Sequence, residues 1–254
     1  ILGSRKRLIV LGLFLVPVLI GGIAFADQLA TEIPEVLGGK KAYSPSFFTT
    51  GIFLASILIG LGAGIYLHWP FCAAKCPYCD FNSHAAGEAI DQAGYVDALL
   101  VDLEHELNRQ SLPAVHSVFI GGGTPSLFAA AVIGRLLEGI DARIGLAGDA
   151  EITLEANPGT AEAKRFAGYR AAGVSRLSIG VQSLRDVQLH RLARVHDAET
   201  ARAAVTAALE AVFDSVNADV MYGLPGDEIE DSLADVRELL ALGTPHVSWY
   251  QLTL

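Results

Sequence analysis

All three cysteines of this chain fall within eight residues, in the run Cys72-Ala73-Ala74-Lys75-Cys76-Pro77-Tyr78-Cys79. Thiolates spaced C-x3-C-x2-C can converge on one centre only if the loop wraps around it. Three chemistries compete for such a loop. A structural zinc needs four closed ligands, and the fourth would have to be His68 or His84. A disulfide would leave an odd thiol and belongs to an oxidising compartment. A [4Fe–4S] cluster can be held through three of its irons, which leaves the fourth open to another ligand. The spacing favours the cluster. An open iron of this kind is chelated by the amino and carboxylate groups of S-adenosylmethionine (SAM). An electron passed to the sulfonium then breaks a C–S bond, leaving methionine and a 5′-deoxyadenosyl radical.

The elements that must hold this loop follow from hydrophobic period. Apolar runs of strand length at Ile65–Trp69, Ser117–Ile120, Glu151–Glu155, Arg176–Gly180, Ser215–Met221 and Val247–Leu254 alternate with helix-period segments. The segments are Ala89–Arg109, Ser126–Arg143, Ala161–Ala172, Ala198–Val212 and Glu228–Leu242. Parallel strands need crossover helices, so the expected class is α/β. Six units fit a partial (β/α)6 TIM-type barrel better than a closed barrel of eight. Chemistry in such folds collects at the carboxyl ends of the strands. The unusual residues lie there: the cysteine loop, the glycine run Gly121-Gly122-Gly123-Thr124, and the polar Glu155, Gln182 and Asp219. A glycine run lets backbone approach a ligand closely, although it could equally be a tight turn or a phosphate cradle. Glu155 could equally end in a salt bridge. His105 and His190 sit in helical patterns and read as surface residues.

The segments IYLHWPFCAAKCPYCDFNSH, GGGTPS, LEANPGT, GVSRLSIGVQSL and NADVMYGLPG, in that order, resemble the radical SAM enzymes grouped with oxygen-independent coproporphyrinogen III oxidase. More narrowly they resemble the HemW haem-chaperone branch of that family, over residues 65–254. The resemblance implies that Cys72, Cys76 and Cys79 hold the cluster. It also implies that Gly122, Gly123 and Thr124 contact the methionyl part of SAM and that Glu155 binds its ribose. Tyr66, Tyr78, Gln182, Arg194, Asp219 and Leu252 match further SAM-contacting positions, some of them for a second SAM. Trp69 and Phe71 are expected to wall the cluster off from solvent. Haem or a porphyrinogen, a haem-accepting respiratory apoprotein and a reductant for the cluster are the implied partners. No catalytic acid or base is identified, because the radical would originate on the cofactor. Three departures stand out. Phe81 replaces a further cysteine of the oxidases, which favours the chaperone branch; Ala193 replaces a common Gly, and Asp227 a common Gln. Oxidative decarboxylation of coproporphyrinogen III is the alternative activity, and a zinc-stabilised, membrane-tethered binding module the non-enzymatic one.

Composition divides the chain near residue 64. Residues 1–64 carry five basic and three acidic side chains, net +2, and residues 65–254 carry 13 and 25, net −12. The high apolar content (52%) and mean hydropathy of +0.41 exclude a disordered chain. The overall charge of −10 argues against nucleic acid as a partner. Arg5, Lys6 and Arg7 precede a charge-free run from Leu8 to Ala26, and Phe47–Gly64 is a second such run. Each reaches about the length of a membrane span, the first doubling as a candidate signal peptide. The basic start places that end in the cytoplasm. Residues 1–64 are therefore expected to form a hydrophobic leader, either native or a foreign fusion, with one or two spans before a cytoplasmic core. The start at Ile1, the single Met221 and the stop in a strand at Leu254 suggest a fragment, with an accessory domain still to follow.

Overall fold

The computed structural model describes residues 52–56, 63–87, 90–109, 113–159 and 163–252. Its strands are β1 (Ile52–Ser56), β2 (Ala63–Trp69), β3 (Phe71–Cys72), β4 (His84–Ala85), β5 (Val115–Gly122), β6 (Leu146–Ala156), β7 (Arg176–Gln182), β8 (Ser215–Tyr222) and β9 (His246–Gln251). Its helices are α1 (Gln92–Arg109), α2 (Ala130–Ile144), α3 (Phe166–Ala171), α4 (Asp186–Arg191), α5 (Ala198–Glu210) and α6 (Ile229–Ala241). The main sheet runs β1-β2-β5-β6-β7-β8-β9. The six strands from β2 to β9 pair in parallel, as the alternating pattern requires, and β1 pairs antiparallel with β2.

Each strand shows one face to the helices and one to the concave side. Leu177, Ile179 and Val181 of β7 are fully buried against the helical layer, as are Ala218 and Val220 of β8. The intervening positions carry Ser178, Gly180 and Gln182 in β7, and Asn217, Asp219 and Met221 in β8. That is period-two alternation with the apolar set sent outward under the helices. The helices answer with stripes of their own. Val96, Leu99, Leu100 and Leu103 are buried in α1, and Ile133, Leu136, Leu137 and Ile140 in α2. Asp197 caps α5 by accepting from the Thr200 amide at 2.8 Å, and Glu228 with Asp231 forms a capping box on α6.

Boundaries differ from the sequence reading in ways that have local causes. Pro125–Leu127 forms a single 3-10 turn, so α2 begins at Ala130 and not at Ser126. Strand β6 starts at Leu146, ahead of the apolar run, because its Gly- and Asp-containing lead-in pairs with β5 at Val115. The second candidate span needs correcting. Ile52–Ser56 lies inside Phe47–Gly64 but is a strand in register with β2, Leu54 facing Ile65, and not a turn of a helical span. The exposed edge of β2 offers its backbone groups a ladder, which a short apolar run satisfies as readily as a helix would. Among the described residues no helix is long and apolar enough to cross a membrane. The first run, Leu8–Ala26, lies outside them.

Candidate functional site

The cysteine loop leaves β2 through Pro70 and is pinned at its base before it turns. Cys72 lies in β3, which pairs with β4 at Phe71–His84 and Cys72–Ala85, so the loop is closed by its own short ladder. Lys75 Nζ reaches the Phe81 carbonyl and the Ser83 hydroxyl (3.1 Å) across the loop. His68 Nε2 bonds the Asn82 carbonyl at 2.7 Å, and its Nδ1 lies 3.3 Å from the Tyr66 hydroxyl. A turn closes with Cys79 N donating to Cys76 O (3.1 Å), and both residues line the cavity described below. All three cysteines are free thiols, Cys72 buried and the other two partly open. Trp69 and Phe71 lie behind the loop, Trp69 edge-on to Tyr95 and Phe128 at 5.2 and 4.7 Å. They support the loop from beneath and do not line the cavity it faces.

The glycine run packs against this base. Gly123 N donates to Trp69 O (2.5 Å) and Thr124 N to Phe71 O (2.6 Å). A Cβ on Gly123 would stand 2.4 Å from the Phe71 carbonyl oxygen, and one on Gly122 2.7 Å from the His68 ring and 2.8 Å from Trp69 O. Gly122 also has φ +114. The glycines are therefore required by the close approach of β5 to the β2–β3 backbone, whatever the cavity holds.

The carboxyl ends of the strands enclose a cavity of about 500 Å³ into which the cysteine loop projects. From β5 come Gly122, Gly123 and Thr124; from β6, Glu155 and Asn157; from β7, Ser178 and Gln182; from β8, Asp219 and Met221. Tyr78, Arg194, Tyr250 and Leu252 complete the wall. Of the expected contacts only Tyr66 is elsewhere. Its ring lies 6.0 Å from Phe119 inside the sheet and its hydroxyl meets His68.

The Glu155 carboxylate accepts from the Gly122 amide at 2.9 Å, and among the described residues no cation pairs with it. Burial, with the Asp219 charge adding to it, pushes the Glu155 carboxyl up to about 7, against the Gly122 bond that favours the charged form. Asp219 accepts from Ser178 Oγ and Asn217 Nδ2, each at 2.9 Å, and burial still raises its carboxyl above the usual range. Arg194 reaches across the site. Its Nη2 bonds Asn157 Oδ1 (2.7 Å) and Gly180 O (3.0 Å), while Nη1 lies 3.4 Å from Cys76 Sγ. Burial, with the nearby thiols adding to it, outweighs Arg194 and pushes the Tyr78 hydroxyl up to about 12. His105 and His190 are exposed, as their positions in the helices imply. His196 is buried against the Val181 carbonyl (3.2 Å), and burial lowers it to about 4, so it is neutral.

Two departures from the family pattern find physical explanations. Asp227 is ion-paired with Arg185, which also faces Asp231 and Asp235 at 3.6 Å, so a charge at this position is compensated. Ala193 has φ 52, a left-handed backbone that glycine adopts without strain. Ala193→Gly is expected to raise stability by about 0.5–1 kcal/mol, after offsetting the greater freedom of glycine in the unfolded chain. Thermal unfolding should rise by about 2 °C; a fall would mean that the surrounding loop does not impose this conformation.

Asn157, Ser178, Asn217 and Tyr250 were not singled out by sequence reading. Asn157 donates to Thr124 Oγ1 (2.9 Å) as well as holding Arg194, and the Tyr250 hydroxyl donates to Gln182 Oε1. Ser248 Oγ continues the network to Asn217 Oδ1 (3.0 Å). Ser178 and Asn217 alternate with the apolar outer positions of β7 and β8, whereas Asn157 lies just beyond β6 and Tyr250 in a strand without that alternation.

Comparison with known proteins agrees with this geometry. A profile of the Radical SAM superfamily matches residues 66–239. The heme chaperone HemW of Haemophilus influenzae is 50% identical over 194 residues, covering 75% of this chain and 51% of that protein. HemW of Escherichia coli is 48% identical over 190 residues, covering 75% and 50%. The chain thus spans about half the length of these relatives. Among solved structures, the radical SAM enzyme coproporphyrinogen III oxidase (HemN) of Escherichia coli superposes with a TM-score of 0.67 at 30% identity, covering 74% of this chain and 43% of that one. With three thiols facing a glycine loop across the polar ends of a six-stranded parallel sheet, and the superfamily profile matching 66–239, the chain belongs to the Radical SAM superfamily.

Proposed function

We propose that this chain is the radical SAM core of a HemW-type haem chaperone, which binds haem and delivers it to respiratory apoproteins. The observation that carries the reading is the cavity shared by the cysteine loop, the glycine loop and the polar strand ends, in a chain 50% identical over 194 residues to the HemW of Haemophilus influenzae. Residues 65–254 are taken as the core, with Ile52–Ser56 of the leader added as an edge strand. Its free thiols suit a reducing compartment, consistent with the cytoplasm, and a membrane tether through residues 1–51 would leave the site unchanged.

The donor set fits a [4Fe–4S] cluster on Cys72, Cys76 and Cys79. Each thiolate of a cluster serves a different iron, so three spaced thiols suffice. His68, a candidate fourth zinc ligand, already has both ring nitrogens engaged. With SAM bound, the cluster supplies one-electron cleavage of a sulfonium C–S bond. The chain's own residues bind and orient. Gly122, Gly123 and Thr124 present backbone to the methionyl end. Glu155 accepts from the ribose hydroxyls, and Tyr78, Gln182, Arg194, Asp219 and Leu252 line the remainder.

Coproporphyrinogen III oxidation is the second reading, favoured by the similarity to HemN. Phe81, 54% exposed on the cavity wall where the oxidases carry a cysteine, counts against it. The full-length parent protein decides between them. Stoichiometric haem binding with transfer to an apoprotein and no turnover of coproporphyrinogen III is expected; turnover of that substrate would replace this reading by the second.

A further inference from the structure

Arg194 joins the cysteine loop to the ends of β6 and β7 by direct bonds. It is 118 residues from Cys76 in sequence, yet its Nη1 donates to Cys76 Sγ at 3.4 Å. The other terminal nitrogen of the guanidinium is held by the strand ends. Nη2 is held by the Asn157 side chain (2.7 Å) and the Gly180 carbonyl (3.0 Å), and Asn157 is itself held by Thr124 (2.9 Å). The left-handed Ala193 immediately before it sets the direction in which the side chain leaves the chain. The planar fork thus has one edge on the cavity backbone and one on a cluster ligand, a geometry that a lysine could not reproduce.

A fixed N–H···S bond and a fixed positive charge both stabilise the more negative of two oxidation states. Neither thiol partner, Cys72 nor Cys79, receives an arginine bond among the described residues, so the effect is confined to one corner. We propose that Arg194 is a positioning and redox-tuning residue, whose bond to Cys76 Sγ raises the reduction potential of the cluster. The proposal rests on the reading that the three cysteines hold a [4Fe–4S] cluster. The step it tunes is uptake of one electron from a low-potential one-electron donor, dithionite serving in vitro. No proton or bond change is required of Arg194 itself.

The test is a potentiometric titration, followed by EPR, of reconstituted wild type, Arg194→Gln and Arg194→Lys. With equal iron and sulfide content, the Gln variant should titrate at a more negative potential than wild type. The Lys variant, keeping the charge and losing the fork, should fall between them. Equal contents with unchanged potentials would overturn the inference and leave the cluster assignment standing. Failure of wild type itself to assemble a cluster would overturn both. If the Gln variant cannot be reconstituted, Asn157→Ala decides, because it keeps the guanidinium and removes its 2.7 Å anchor. A negative shift there supports the inference, and an unchanged potential rejects it.

Discussion

Cys76→Ala is expected to abolish assembly of a [4Fe–4S] cluster, leaving under about a tenth of the wild-type iron and sulfide after anaerobic reconstitution. The reasoning is one of ligand count. Three thiols serve three irons, and the sequence has no fourth cysteine to replace one. The apoprotein should be little changed. Cys76 is only partly buried and its thiol accepts from Arg194, which keeps its bonds to Asn157 and Gly180. Its removal should therefore cost less than about 1 kcal/mol of stability. Cys72 differs, because it lies buried at 8% exposure in β3 and its loss also disturbs the ladder that closes the loop. Iron and sulfide analysis with a melting curve on the same preparation separates the two effects. Full cluster content in Cys76→Ala would remove the metal assignment altogether.

Glu155→Gln should lose function and gain stability together. The carboxylate is the only anionic acceptor that β6 contributes to the cavity wall, and among the described residues its one hydrogen bond is from Gly122 N. Removing the charge while keeping the shape should weaken SAM binding by about 10-fold or more, the cost of losing charge-assisted bonds to two hydroxyls. The stability effect has the opposite sign. Burial raises this carboxyl from 4.5 to about 7, so in between the folded state binds more protons than the unfolded one. Stability then falls as pH rises through this window, and the penalty is fully present above about pH 7. Glutamine carries none of it, and its amide oxygen can still accept from Gly122. The variant should be more stable than wild type by on the order of 2 kcal/mol at pH 8, with the difference fading toward pH 4.5. Thermal melts of the apoprotein at the two pH values measure this. A variant less stable than wild type at pH 8 would mean that the carboxylate is compensated in the fold and not held ready for a ligand.

The sequence made the frame of this site legible because two independent signals coincided. Apolar runs of strand length named all six parallel strands, and the residues after them named the loops that matter. The cysteine spacing needed no fold at all. What could not be read was which strand face turns inward. Ser178, Asn217 and Tyr250 look ordinary along the chain and become a polar wall only when β7, β8 and β9 lie side by side. Asn157 stands before a proline just beyond β6; its bonds to Thr124 and Arg194 depend on three separate loops meeting. Tyr66 shows the converse. Its place beside the cysteines in sequence puts it one residue pair back along β2, where it faces Phe119 and His68 inside the sheet. The edge strand Ile52–Ser56 was hidden by its own composition, since apolar residues without charge read equally as a membrane span.

We propose that this cavity holds a site-differentiated cluster that SAM can reach. It is tested most directly by iron and sulfide analysis of the anaerobically reconstituted protein, with EPR of the reduced form before and after SAM is added. The expected result is about four irons and four sulfides per chain, and an EPR signal that changes on addition of SAM because one iron has no cysteine. One zinc with no sulfide would contradict it, as would a cluster whose signal SAM leaves untouched.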